Sequence, residues 1–342
     1  MKRDKLTLAE MESEVLDWLG KARASNEEEL IADTLRDVLK LARDGTSRGD
    51  LKILNRALKE LRYAFKIFAP FRNVRKTSIF GSARVGEDNA YYRMATEFAH
   101  RLTAQGFMVI TGAGEGIMGA ANRGAEREKS FGVNIRLPFE QKPNRFIRGD
   151  AKLVSFHFFF TRKLIFVKET DAVVFFPGGF GTHDEAMEIL TLMQTGKSQI
   201  IPMLFLDLPG KGYWEAWRSF VCDQMLAQGY ISDEDLSLFK ILHDGETAMQ
   251  EILRFYRNFH SYRFVNQDLV IRVLKPPTDD LLASLNRDFT DILRGRRVVV
   301  SPPLPEELNE PETLGLQRIL VPFNRKSYGR LRQLIDRINT QP

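Results

Sequence analysis

Three kinds of residue in this chain could act together on a phosphorylated ligand: glycines in a tight turn, a carboxylate just beyond them, and a neighbouring pair of cations. The turn lies in DAVVFFPGGFGTHDEAMEILTLMQT, Asp171 to Thr195. Ala172 to Phe176 is a short apolar run of the kind that forms a strand buried on both faces. Pro177 closes it, and Gly178, Gly179 and Gly181 permit a turn too tight for side chains. Thr182 reads as an N-cap, with Glu185 three positions on completing a capping box before the apolar series Ala186, Met187, Ile189, Leu190 and Met193. Such a turn would gather backbone N–H groups and the positive end of a helix dipole around one point, which suits a phosphate. Glu185 in a first helical turn is expected to be ionised. It could then stabilise a developing cation or activate water, and it would be ill suited to donating a proton. The alternative is a capping Glu with no chemical role; the glycine turn in front of it favours the chemical one.

Two other turns and one helix carry comparable residues. GSAR, Gly81 to Arg84, follows a candidate strand; Ser82 and Arg84 could contact a ribose or phosphate there, or Arg84 could stay in solvent. GAGEG, Gly112 to Gly116, opens a second helix and places Gly114 in the turn and Met118 and Asn122 beyond it. By itself Met118 reads as a core residue. In HFFFTRKLIFVKE, Arg162 and Lys163 sit among Phe158, Phe159, Phe160 and Phe166, aromatics that read as core or subunit-interface packing. The heads of both cations must reach water, an anion or a carboxylate, because a buried unpaired charge is costly.

The run Pro177 to Glu185 fits PGGxGTxxE and resembles the signature of the Lonely Guy (LOG) family, nucleoside 5′-monophosphate phosphoribohydrolases that include cytokinin-activating enzymes. TGAGEGIMGAANRGA, Thr111 to Ala125, is similar to that family's glycine-rich turn and following helix, and FFTRK, Phe159 to Lys163, to its Arg-Lys motif. The resemblance extends over roughly residues 76 to 258. It implies that Arg162 and Glu185 are catalytic and that Gly178, Gly179, Gly181, Thr182, Ser82, Gly114, Met118, Lys163 and Glu188 bind substrate or phosphate, with Met118 and Asn122, on a helix that lines the family's cleft, as candidate base or sugar contacts. It also implies hydrolysis of the N-glycosidic bond of an AMP-like or cytokinin-riboside monophosphate, no cofactor, and a homodimer or higher homo-oligomer. Carriers of nucleotides or of molybdenum cofactor that resemble the family use a similar glycine turn and supply the alternative function; retention of both Arg162 and Glu185 favours the enzyme. The family has also carried a lysine decarboxylase label, a chemistry that needs a Schiff-base lysine for which no motif is present.

Positioning these residues requires alternating strands and helices, the pattern of a parallel sheet covered on both faces. Strands are expected at residues 77–80, 107–111, 132–136, 151–155, 172–176 and 200–206, with helices at 89–105, 116–128, 157–168, 182–195 and 213–228. The fold expected is α/β, a Rossmann-like doubly wound parallel sheet, with ligands beyond the carboxyl ends of the strands. Residues 1–75 read as a helical extension with helices near 8–22, 27–43 and 50–68, and residues 259–342 as a small α+β module. Within that module the Pro-rich stretch 302–311 reads as a linker or exposed loop, and the basic clusters 294–297 and 325–332 as solvated surface. The loop at 137–149 reads as a lid or oligomer contact. Neither flank offers a recognised catalytic residue, so a chain ending near Asn258 is expected to retain activity if it folds.

Composition narrows the classes. With 43% hydrophobic residues the 342-residue chain can build a large core, and no apolar run approaches the ~20 residues of a membrane helix. A single cysteine, Cys222, excludes an internal disulfide and fits a cytoplasmic location. Five histidines without ligand spacing give no metal site, and the absence of G-x-S-x-G disfavours a serine hydrolase. A formal charge of +5 is weak grounds for nucleic-acid binding and suits a small phosphorylated ligand.

Overall fold

The computed structural model describes residues 26–137 and 142–341, together with 10, 13–15 and 17. The helix expected at 8–22 therefore lies largely outside the described residues. Contacts divide the chain into two units, Met1–Glu60 and Leu61–Pro342. In the first, α1 (Asn26–Arg43) is amphipathic but leaves Leu30, Ile31 and Val38 exposed; the following helix, α2 (Arg48–Phe68), starts in the first unit and ends in the second.

The second unit is built on seven parallel strands: β1 (Lys76–Phe80), β2 (Met108–Thr111), β3 (Ser130–Ile135), β4 (Leu153–Phe156), β5 (Ala172–Phe175), β6 (Met203–Leu206) and β7 (Lys240–Leu242). They lie in the order β4-β3-β2-β1-β5-β6-β7. The Rossmann-like α/β expectation holds, and every expected strand forms within a few residues of its place. β7 went unread because it is three residues long and only half buried, too short for an apolar pattern. Alternation along the strands makes two cores. Val109, Val174 and Leu204 face α3 (Ala90–Ala104), α4 (Ile117–Ala125) and a helix near the end of the sheet, α8 (Gly245–Phe255). Ile110, Val173, Phe175 and Phe205 face α5 (Phe159–Glu169) and α6 (Phe180–Gln194). A shorter helix, α7 (Tyr213–Phe220), runs on into a π-helical turn, Val221–Leu226.

Chain order reverses direction across the β1–β5 pair, since β1 leads outward through β2, β3 and β4 while β5 leads through β6 and β7 on the other side. Crossovers therefore diverge there and leave a crevice beyond the carboxyl ends of β1 and β5. The register pairs Phe80 with Phe175, so the GSAR and PGG turns emerge side by side.

The C-terminal residues form a four-stranded antiparallel sheet, β10-β11-β9-β8, from β8 (Phe259–Val265), β9 (Asp268–Val273), β10 (Val299–Ser301) and β11 (Gln317–Val321). Helices α9 (Asp279–Asp288) and α10 (Tyr328–Ile338) accompany it. The module shares one core with the parallel sheet: Phe259, Tyr262, Val273, Leu331 and Ile335 are buried with Phe205, Trp214 and Phe255. Arg332 is fully buried, with Glu251 of α8 at 3.0 Å and Asp336 at 3.1 Å. The Asn339 side chain accepts from the backbone N–H groups of Asn258 and Phe259, both at 2.9 Å. Arg332 is thus not solvated surface. Nor is the Pro-rich stretch a linker throughout, because Glu307 within it is fully buried against Arg272 at 2.7 Å and Arg318 at 3.2 Å.

This shared core changes the expectation for truncation. A chain ending at Asn258 exposes Phe255 and strips Arg332 from Glu251, so it should lose cooperative thermal unfolding; a single sharp transition close to that of the full chain would contradict a common core.

Candidate functional site

Three turns meet at the crevice, and backbone bonds hold them together. Ser82 N–H donates to the Pro177 carbonyl at 3.0 Å, linking the turn after β1 to the turn after β5. The Ser82 carbonyl accepts from Ile117 N–H at 3.1 Å, linking it to the start of α4. Gly116 is required at that approach, since a Cβ there would lie 2.3 Å from the Ser82 carbonyl oxygen. Arg84 points into solvent.

In the PGG turn the helix begins earlier than the sequence pattern suggests. Gly179 is the N-cap of α6, with no side-chain cap, and its carbonyl accepts from Thr182 N–H at 3.0 Å and His183 N–H at 3.3 Å. Thr182 is therefore inside the first turn, and the capping box with Glu185 does not form. What remains is a row of backbone donors: the N–H groups of Gly179, Phe180 and Gly181 have no acceptor among the described residues. The Thr182 hydroxyl lies close over Gly178, where a Cβ would come within 2.1 Å of it. Free N–H groups, a hydroxyl and a helix N-terminus form an anion-binding arrangement.

Glu185 comes one turn later than expected and is buried. Arg162 of α5 reaches it, Nη1 to Oε1 3.6 Å, while its Nε donates to the Val133 carbonyl at 3.0 Å and its guanidinium lies over the Phe166 ring. The Arg162 head passes across Gly112, where a Cβ would fall 2.7 Å from Nη2 and 2.8 Å from Met118 Sδ. Gly112 and Met118 are thereby brought to the same point as the pair. Lys163 lies outside it and bridges Asp184 at 2.8 Å and Glu188 at 2.9 Å.

Burial governs the electrostatics. It pushes the Glu185 carboxyl up to about 7; Arg162 and Lys163 pull it down, and Glu188 and Asp184 add to the rise. The expectation of a helix-stabilised, fully ionised carboxylate is corrected: a dipole contributes roughly 0.3–1 kcal/mol, and burial can move a pKa by several units. A carboxyl poised near neutrality can both take and return a proton. Burial also lowers the pKa of Arg162, which nevertheless keeps its charge as guanidinium does in proteins.

The second glycine turn is clamped from an unexpected quarter. Asn144, fully buried, donates through Nδ2 to the Gly114 carbonyl and to Asn122 Oδ1, both at 2.9 Å, and its N–H bonds the Ala113 carbonyl at 2.8 Å. Ala113 sits at φ 61°, a left-handed conformation unfavourable for a side-chain-bearing residue, and this clamp holds it. Asn122 also accepts from the Thr111 hydroxyl at 2.7 Å, so it is a buried support and not a sugar contact. The described part of this loop, expected as a lid or oligomer contact, braces the second glycine turn through Asn144; residues 138–141 lie outside the description. Sequence reasoning missed Asn144 because a polar side chain in a Pro-flanked loop has no periodicity to reveal it.

A hollow of about 620 Å³ lies at the opposite edge of the sheet, lined by Arg75, Lys168, Asp171, His260 and Arg263 among others. Three of its cations already hold carboxylates: Arg75 with Asp171, Lys168 with Glu169 and Arg263 with Glu310. The free donors and the carboxyl with a near-neutral pKa are at the glycine turns instead.

Comparison with known proteins finds similarity over the central part of the chain. A family model described as possible lysine decarboxylase matches residues 118–252. Among curated proteins, cytokinin riboside 5′-monophosphate phosphoribohydrolase LOG2 of Arabidopsis thaliana is 25% identical over 162 residues, 46% of this chain and 73% of that one. The probable cytokinin riboside 5′-monophosphate phosphoribohydrolase LOGL3 of Oryza sativa subsp. japonica is 26% identical over 182 residues, 52% and 81%. Among solved structures, TM1055 aligns at TM-score 0.38 and 21% identity over 52% of this chain and 98% of its own. The molybdenum cofactor carrier protein of Chlamydomonas reinhardtii aligns at 0.37 and 18% over 53% and 98%.

The pair itself can be tested without a substrate. Carboxyl-carbon NMR, assigned by the signal lost in Glu185→Gln, should show a titration midpoint near 7, moving higher in Arg162→Ala; a midpoint at the ordinary 4.5 would mean that the carboxyl is solvated.

Proposed function

We propose that this chain, whose central domain is similar to the LOG family, hydrolyses the N-glycosidic bond of a nucleoside 5′-monophosphate to free base and ribose 5-phosphate. The observation that carries the reading is one arrangement: free N–H groups at Gly179–Gly181 beside a buried Arg162–Glu185 pair. The first group suits a phosphate, and the second suits a centre that becomes positively charged. The 5′-phosphate docks on the turn and fixes the ribose, so binding far from the scissile bond supplies orientation. As the C1′–N bond breaks, its electron pair leaves with the base and positive charge grows on the ribose ring. The Glu185 carboxylate stabilises that charge and accepts a proton from the water that adds to C1′; the departing base takes a proton from solvent, and Glu185 returns its own to solvent to close the cycle. Arg162 holds Glu185 in place and favours its ionised form. Lys163, tied to Asp184 and Glu188, sets the outer wall where Glu188 meets the sugar; Ser82, Gly114 and Met118 border the cleft. The chemistry needs no cofactor. The relatives' names support a cytokinin riboside 5′-monophosphate as the substrate, and an AMP-like monophosphate is the second candidate.

Incubation with a panel of nucleoside monophosphates, followed by chromatography, tests the reaction: free base and ribose 5-phosphate should appear from at least one. Binding without release from any of them would leave a nucleotide carrier in its place. Glu185→Gln keeps the shape and removes the charge, so turnover should fall roughly 10²–10³-fold, about 3–4 kcal/mol, with binding retained. Arg162→Ala should also be slow, and the double variant little worse than the slower single one. Near-normal turnover by Glu185→Gln would remove this carboxylate from the mechanism.

We further propose a homodimer through α5 and α6, which leave Phe159, Phe160, Leu164 and Met187 exposed beside the site. Light scattering on the full chain should read a dimer at micromolar concentration, with Leu164→Glu shifting it towards monomer; a monomeric wild type would contradict this.

A further inference from the structure

The Tyr213 side chain, thirty-five residues beyond Gly178 in sequence, bonds to the glycine turn itself. Its hydroxyl donates to the Gly178 carbonyl, and His183 Nε2 lies 2.8 Å from the Tyr213 hydroxyl oxygen. The carbonyl can only accept, so the single Tyr213 proton is committed to it, and Nε2 must carry a proton to bond the tyrosine oxygen. That fixes the His183 tautomer. Burial lowers the His183 pKa, and the ring packs against Tyr213 and Trp214 at centroid distances of 5.9 and 5.4 Å.

Tyr213 is itself held firmly. It opens α7, whose next residue, Trp214, is fully buried and donates its N–H to Asp207 Oδ2 at 3.3 Å, just past β6. Asp207 Oδ1 in turn accepts from the Tyr91 hydroxyl of α3. The chain of contacts therefore runs from the sheet end and two helices to one peptide oxygen.

In a trans peptide the carbonyl and the following N–H point in opposite directions. A Gly178 carbonyl drawn to Tyr213 thus turns the Gly179 N–H the other way, and that N–H is one of the donors left without an acceptor. With glycine on both sides of this bond, little else restrains the rotation of the peptide plane. We propose that Tyr213, braced by His183, is a positioning residue that fixes the Gly178–Gly179 peptide plane and so presents the Gly179 N–H to the 5′-phosphate of the substrate. This rests on the reading that the turn holds a phosphate. Tyr213 acts on recognition of the phosphate and not on bond breaking.

Tyr213→Phe on the full chain keeps the ring and removes the one proton that orients the turn. Ribose 5-phosphate binding, measured by calorimetry, should weaken about tenfold, the effect of one hydrogen bond. KM for the monophosphate should rise by a similar factor with kcat little changed, because the phosphate contact is the same in ground and transition states. Turnover of the matching nucleoside, which lacks the phosphate, should be unaffected. A loss shared equally by nucleoside and monophosphate would mean general damage and overturn the inference, as would unchanged ribose 5-phosphate binding in the variant. If the wild type binds ribose 5-phosphate and Tyr213→Phe weakens it while no base is released from any monophosphate, the hydrolase reading fails and the role of Tyr213 stands. If the wild type does not bind ribose 5-phosphate, both fail.

Discussion

The Arg162–Glu185 pair is the constraint around which the crevice is arranged. Two opposite charges 3.6 Å apart and largely out of water are tolerable only when each is held in place and each has further partners. Arg162 gains the Val133 carbonyl and the Phe166 ring; Glu185 gains the attraction of Lys163. Space for the guanidinium comes from Gly112, whose missing side chain is the opening through which it reaches across. That in turn requires the second glycine turn to keep a strained course, with Ala113 left-handed and Asn144 bracing both Gly114 and Asn122. Supports from β3, from the turn after β2 and from the loop at Asn144 add to those on α5 itself, so the pair's geometry depends on these elements being assembled together.

Topology explains why the phosphate-type donors and the charged pair share one place. The reversal of strand order at β1 and β5 opens the sheet there, and the register of Phe80 with Phe175 sets the two turns level. Ser82 joins them through its N–H and carbonyl without using its side chain for the purpose. The C-terminal module contributes no residue to this crevice. Its tie is mechanical, through the common core and the buried Arg332–Glu251 contact, which anchors α8 against the face of the sheet opposite α5 and α6.

Much of this was legible in the residues. Runs such as AVVF and MLFL are short, β-branched or aromatic and bounded by turn formers, so the strands fell where the pattern placed them. What was not legible depended on contacts distant in sequence. Thr182 and Glu185 have capping-box spacing, yet Gly179 takes the cap because its carbonyl is placed to accept from the first helical N–H groups. Glu185 was assigned a low pKa from its helix position; burial beneath α5 decides otherwise, and burial is a tertiary property. Arg332 and Glu307 looked exposed for the same reason, since their partners lie up to eighty-one positions away. Tyr213 belonged to no motif, and its relation to Gly178 appears only when β6 and β5 are paired.

A crystal structure of the full chain with ribose 5-phosphate tests the central claim most directly, because it reads the position of the phosphate and the anomeric carbon at once. The account predicts phosphate oxygens within hydrogen-bond distance of the Gly179–Gly181 N–H groups and the anomeric carbon facing Glu185. A phosphate seated elsewhere, or a sugar bound at the turn with its anomeric carbon directed away from Glu185, would contradict it.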